Sequence, residues 1–367
     1  MQSDYRDPVV SLQGLMTAAY LMLLLVLTGW LLYIGKGILI PIFTAIISVY
    51  VLTSAADAVG RLPGGRLLPS WLRRVVVLLI FIGALVALAS VVVLTAEQMV
   101  AKASLYQNNL QKLISKFSNV LGLEADPDWL AMRRTVLGWV NIESLVGTAL
   151  GSIGGMAGSV FMIAVYAAFL MAEQHGFSRK LATALRDPEQ AERAGNTIRR
   201  INERIGDYLG VKTLVNIILA LMSYSVLKFW NVDFALFWAL VIGILNYIPY
   251  VGSLLGVAFP VVVCLVQFGS IWTAAVVCVL LTIAQFFVGN VLEPRVIGQR
   301  LNLSPFVVLA SLAIWSALWG IAGAILAIPL TSVLAVLLAV FPLSRPMAVL
   351  LADDVEAFIV EERTHQA

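Results

Sequence analysis

No Asp, Glu, Lys or Arg occurs from Phe234 to Leu292, a run of 59 residues. A water-soluble domain is about 25% charged, so a run of this length cannot be laid over an aqueous surface. A bilayer core about 30 Å thick takes roughly 20 apolar helical residues to cross, which gives this run room for two or three crossings. The pattern recurs at Pro8–Gly35, Gly37–Ala56, Val75–Ala96, Ser144–Ala172 and Leu301–Ser344. Inside lipid every backbone N–H and C=O must be paired internally, leaving helices or closed barrels. Barrel strands alternate apolar and polar residues, and these runs are continuously apolar. The chain therefore reads as an all-α, polytopic transmembrane protein of about eight spans. The whole composition agrees: 60% apolar, 12% charged, mean hydropathy +0.94.

Charge divides the chain into segments. Residues 1–96 hold three spans, the first two joined by a turn at Gly35-Lys36-Gly37. Lys36 reads as a snorkelling residue at the membrane interface. Residues 97–150 form a polar insert that includes an amphipathic helix through Leu110, Leu113, Ile114 and Phe117. A fourth span follows at 151–172, then a basic amphipathic region at 173–210 with the stripe Ala191, Ala194, Ile198, Ile201, Ile205 and Leu209. Residues 211–344 form a C-terminal core, and 345–367 an acidic tail. The basic linker Ser54–Arg74 and the basic region 173–210 belong in the cytoplasm by the positive-inside rule. That places both termini inside and the 97–150 insert outside. Met1–Asp7 lacks the basic start and cleavage site of a secretory signal. The net charge of +3 fits basic cytoplasmic loops and calls for no nucleic-acid partner.

Two breaks interrupt the C-terminal core. One is Asn246-Tyr247-Ile248-Pro249-Tyr250-Val251-Gly252, and the other Trp319-Gly320-Ile321-Ala322-Gly323. Pro lacks an N–H and Gly relaxes the backbone, so a break at membrane depth frees carbonyls that can hold a polar solute or ion. Each broken pair is either two full crossings or a re-entrant hairpin. For the first break, a plain surface turn anchored by Tyr247 and Tyr250 weighs equally. Asn246, Pro249 and Gly252 are the pathway candidates there.

Gln285, Asn290 and Glu293 lie near helical spacing at the end of an apolar span, and Pro294 after Glu293 is expected to end the helix. Glu293 could carry a coupling proton or sodium; the plainer reading pairs it with Arg295 or Arg300 at the surface. Pro294, Gly298, Pro305, Gly320, Gly323 and Pro329 read as hinge and packing residues. Cys264 and Cys278 sit in apolar runs and read as packed thiols, not as a disulfide or metal pair. The two histidines, His175 and His365, form no HExxH, and neither a P-loop nor a G-x-S-x-G elbow occurs. The reading is of a non-enzyme with no cofactor.

The runs Ile248-Pro249-Tyr250-Val251-Gly252, Leu292-Glu293-Pro294-Arg295-Val296-Ile297-Gly298 and Leu303-Ser304-Pro305 resemble signature segments of the autoinducer-2 exporter family, as does Leu318–Leu330. The resemblance implies an eight-span bacterial inner-membrane permease that assembles as an oligomer. It also implies export of a small polar solute, with autoinducer-2 export or sodium–proton antiport as the family's associations. Against antiport, the long apolar runs contain no carboxylate. A third reading, a non-transporting membrane scaffold, would use the stripe Ala191–Leu209 to hold a partner.

Overall fold

Continuous apolar runs have nowhere to pair their backbone except within themselves, and they form helices. The computed structural model describes residues 12–61, 67–121, 158–173, 180, 188–297, 302–340 and 344–354. In chain order the helices are α1 (Leu12–Ile34), α2 (Lys36–Arg61), α3 (Ser70–Leu121), α4 (Gly158–Glu173) and α5 (Pro188–Phe229). They continue as α6 (Ala235–Leu245), α7 (Val251–Phe268), α8 (Ile271–Phe287), a π-helical segment (Val288–Leu292), α9 (Glu293–Ile297), α10 (Pro305–Val340) and α11 (Arg345–Leu351). Among the described residues, seven helical stretches are long and apolar enough to cross a membrane, and α4 and α6 are shorter apolar helices. No strand occurs among the described residues. The chain is an all-α polytopic protein.

Two groups of helices each bury their own core. Ala45, Val49 and Leu52 of α2 pack with Val77 of α3 and with Ala167 and Met171 of α4. Val215, Leu219 and Leu227 of α5 pack with Ile242, Cys264, Val277 and Leu281 of α6, α7 and α8. The groups meet where Ile205, Tyr208 and Leu209 of α5 touch Ile47 and Tyr50 of α2 and Ile328 and Val333 of α10. Leu25, Leu79 and Ile283 point outward at 74%, 62% and 58% exposure, as lipid-facing residues do. Cys264 and Cys278 are both free thiols.

α3 is longer than its apolar run. Its 52 residues span about 78 Å at 1.5 Å per residue. It passes Ala96 and Glu97 unbroken, so the third predicted span and the start of the predicted insert are one helix. Beyond the apolar run its inner face is kept by Ala103 and Tyr106, both buried. Residues 122–150 of the insert lie outside the described residues.

The two predicted breaks are helical hairpins. In the first, α6 and α7 lie side by side, with Trp238 stacked on Phe259 at 6.0 Å between centroids. Gln267 ties its open end together: its Oε1 accepts from the Asp233 N–H at 2.7 Å and its Nε2 donates to the Asn231 carbonyl at 2.8 Å. In the second, α10 reverses at Gly320, whose φ of 63° and ψ of −140° are non-helical. Trp315 Nε1 then reaches Thr331 Oγ1 at 3.1 Å, across 16 residues of chain that a straight helix would spread over about 24 Å. The open end of this hairpin is closed by the Ser304 N–H donating to the Leu351 carbonyl and by Asn302 Oδ1 accepting from the Asp353 and Asp354 N–H groups.

The hairpins approach one another. Leu245 and Ile248 at the first tip pack on Leu312, Trp315, Ala324 and Ala327 of the second hairpin. The second tip reaches the α1–α2 corner, where Trp319 Nε1 donates to the Leu32 carbonyl at 2.9 Å. The open end of the first hairpin is held by the far half of α3, through Lys102 and Asn109.

Candidate functional site

A lysine inside an apolar span must either reach water or find a partner. Lys212 of α5 is 6% exposed, and it finds a carboxylate: its Nζ donates to Glu293 Oε1 at 2.6 Å. The Glu293 side chain is 27% exposed and the Lys212 side chain 7%, so the pair sits at the edge of the apolar interior. Glu293 is presented by a local irregularity. The α8 helix passes into the π segment Val288–Leu292 and then directly into α9. The expectation that Pro294 ends the helix is thus corrected. Pro is tolerated in the first turn of a helix, and the wider π turn eases its ring past the preceding backbone. The expected pairing of Glu293 is with Arg295 or Arg300; Arg300 lies outside the described residues, and the carboxylate pairs with Lys212 because α5 packs on this stretch of chain.

One turn beyond Lys212, the same face of α5 carries Asn216, 4% exposed. Its Oδ1 accepts from Asn246 Nδ2 at 2.8 Å, tying α5 to the tip of the first hairpin. Next to this bond, Thr213 Oγ1 and the Tyr247 hydroxyl lie 2.6 Å apart. Gln285 approaches from α8, its Nε2 3.2 Å from where a Cβ on Gly256 would sit. Among the described residues, Gln285 Nε2 is a buried donor with no hydrogen-bond partner, and Asn216 Nδ2 is buried beside the Tyr247 hydroxyl without a well-aligned bond to it. Unsatisfied buried donors cost free energy and call for an explanation in a native fold. Asn216, one turn along α5 from Lys212, thus leaves polar capacity next to the ion pair, and Gln285 sets a further amide on α8 against Gly256 of α7.

Glycines let the hairpin arms approach this cluster. A Cβ on Gly243 would meet Ala220 Cβ and the Asn216 carbonyl, each at 3.2 Å. Gly252 seats the tip, since a Cβ there would lie 1.8 Å from the Leu245 carbonyl oxygen. Pro249 lies in the turn itself, where the Val251 N–H donates to its carbonyl at 2.6 Å. Tyr250, between them, has φ of 59° and ψ of −55°, the geometry of a γ-turn closed by that bond.

Of the residues singled out in the sequence, the structure bonds Asn246 and Glu293 to α5, places Pro249 and Gly252 in the adjoining tip, and sets Gln285 on α8 against Gly256. Asn290 stands apart: it is exposed and, among the described residues, bonds to the Phe286 carbonyl of its own helix, at 3.2 Å. Pro305 begins α10, Gly320 and Gly323 form the second tip, and Pro329 is buried in its returning arm. Gly298 lies outside the described residues. Lys212, Thr213 and Asn216 are the residues that sequence reasoning missed. Their signal was a lone lysine at i with an asparagine at i+4, one face of an otherwise apolar span.

Comparison with known proteins decides what kind of molecule holds this cluster. Residues 20–342 match the family described as AI-2E family transporter. The chain belongs to the AI-2E transporter family. Among its relatives is the AI-2 transport protein TqsA of Escherichia coli, 27% identical over 94% of this chain and 98% of the relative. YhhT, named only as a transport protein of Escherichia coli, is 30% identical over 70% of this chain and 73% of its own. A Borreliella burgdorferi protein also named only for transport is 35% identical, and the aligned part spans about half of that relative, 52% of each chain. This AI-2E family member is a multi-pass membrane protein of a family whose members are named transport proteins and permeases.

Proposed function

We propose that this chain is a bacterial inner-membrane permease, not an enzyme, that exports a small polar solute past the tip of the first hairpin. The observation that carries the reading is the buried Lys212–Glu293 pair beneath that tip. Charged groups within spans are costly, rare and tied to substrate or ion pathways. Asn216, Asn246 and Gln285 supply the hydrogen-bonding groups that would hold the solute, and the ion pair is the group a coupling proton or sodium would act on. The family's namesake solute makes autoinducer-2 the first molecule to try. The protein is read as a homo-oligomer, as the family resemblance implies, and its termini are placed in the cytoplasm by the positive charge of Ser54–Arg74.

The test is release of loaded autoinducer-2 from sealed proteoliposomes, with and without an imposed proton gradient. Release above that from protein-free liposomes, and sensitive to the gradient, is the expected result. Release no faster than from empty vesicles would remove autoinducer-2 as the solute. Sodium–proton exchange is the second reading, supported by the pairing of Glu293 with a buried lysine, which supplies the carboxylate that the apolar runs lack. A pH-sensitive dye inside the same vesicles, challenged with external sodium, separates the two.

A further inference from the structure

α3, the end of α5 and the start of α6 enclose a cavity of about 500 Å³, apart from the polar cluster under the hairpin tip. Its α3 wall is Val91, Leu94, Thr95 and Gln98, one helix face that turns from apolar to polar over two turns. The opposite wall repeats the gradient. Leu236 and Phe237 line its apolar end, and Lys228 and Asn231 line the polar end. The polar ends coincide, because Lys102, one turn beyond Gln98, bonds Asp233 at the same corner.

The charge in this cavity is unbalanced. Asp233 also lines it, but both carboxylate oxygens are taken, Oδ1 by Lys102 Nζ at 2.5 Å and Oδ2 by the Tyr106 hydroxyl at 2.7 Å. Glu97, the adjacent carboxylate on α3, does not line the space. Among the described residues, no hydrogen bond or ion pair engages the Lys228 ammonium. The cavity thus presents a free cation at its polar end. Its apolar end opens sideways, since Leu94 and Leu236 are 55% and 50% exposed on surfaces that face lipid.

We propose that this cavity binds an anionic phospholipid, its phosphate on Lys228 and the upper part of an acyl chain against Leu94, Leu236 and Phe237. A free anion would use the cation but not the apolar end, and a neutral lipid would use the apolar end but leave the cation uncompensated. A basic residue near an anionic lipid surface contributes about 1 kcal/mol, close to fivefold in binding. The occupant would brace the open end of the first hairpin, where Phe234 holds a left-handed φ of 58° beside Asp233.

The experiment is native mass spectrometry of the purified full-length protein titrated with phosphatidylglycerol or phosphatidylcholine. Wild type should carry phosphatidylglycerol adducts in preference to phosphatidylcholine, and Lys228→Gln should carry about fivefold fewer. Lys228→Arg should keep them, as should Lys36→Gln, which removes a lysine of the α1–α2 corner. Leu94→Trp leaves every charge in place but fills the apolar end, and it should also lose adducts. Equal adducts in wild type and Lys228→Gln would overturn the proposal, as would the absence of any preference for phosphatidylglycerol. Displacement of the lipid by inorganic phosphate would assign the cation to a free anion. A changed subunit number in Leu94→Trp with adducts intact would assign the groove to a second copy of the chain.

Discussion

Lys212 and Glu293 illustrate how a pair costly to bury becomes stable only as a pair. Removing one partner of a buried ion pair leaves an uncompensated charge and costs about 3–5 kcal/mol when burial is complete. The 27% exposure of the Glu293 side chain lets water share that charge, so the cost falls at or just below the low end of that range. Lys212→Met should therefore lower unfolding stability in detergent by roughly 2–3 kcal/mol. Adding Glu293→Leu to it should restore most of the loss, because the orphaned charge goes with it. A double variant no more stable than Lys212→Met would mean that the two residues act independently. Glu293 was legible in the sequence as the charge that ends a 59-residue uncharged run. Its partner was not, because Lys212 lies 81 residues away and follows a basic region that hides it, while Arg295 sits two residues off. Asn290 reads as well as Asn246 does in the sequence, yet the turn of its helix leaves it on the outside.

The hairpins are elements whose positions the sequence marked and whose form it left open. Pro249, Gly252, Gly320 and Gly323 showed where helix must break, since those residues cannot continue it without loss. Whether each arm crossed fully was hidden, because both arms are apolar throughout and length alone fits either form. The bonds that close the open ends are made by residues outside the breaks, Gln267 in one hairpin and Asn302 in the other. Both tips use the same device: a Cβ on Gly252 would lie 1.8 Å from the Leu245 carbonyl oxygen, and one on Gly323 would lie 1.9 Å from that of Trp315. Gly252→Val and Gly323→Val should each abolish recovery of monodisperse protein in fluorescence size-exclusion chromatography. Gly83→Val, at a site with nothing within 4 Å, should behave as wild type. Normal elution of the first two would mean that the tips are not closed this way. The length of α3 was illegible for a different reason. Its apolar signal stops at Ala96, and the helix beyond is kept by contacts to the hairpin, through Lys102, Tyr106 and Asn109. Asp233→Asn removes the charge that anchors those contacts. It should raise hydrogen–deuterium exchange across residues 231–237 while leaving α8 unchanged, and unchanged exchange at both would assign the fastening to packing alone.

At the scale of the molecule, hydropathy made the membrane-spanning helical fold readable, because lipid leaves a polypeptide few ways to satisfy its backbone. Its organisation into an N-terminal group around α2 and a C-terminal group around α5 required long-range contacts that no local pattern encodes. The polar cluster belongs to the second group, which also holds the first hairpin, and the second hairpin packs against that hairpin's tip. Residues of α5, the tip of the first hairpin and α9 thus meet at one place in an otherwise apolar core, in a family named for transport. The central claim is that this convergence is the solute pathway. It is tested most directly by gradient-driven efflux from sealed proteoliposomes, comparing wild type with Lys212→Met, Glu293→Gln and Asn290→Ala at equal amounts of folded, inserted protein. The account predicts that the first two variants lose efflux of whatever solute wild type moves, and that Asn290→Ala keeps it. Wild-type rates in Lys212→Met and Glu293→Gln would contradict it.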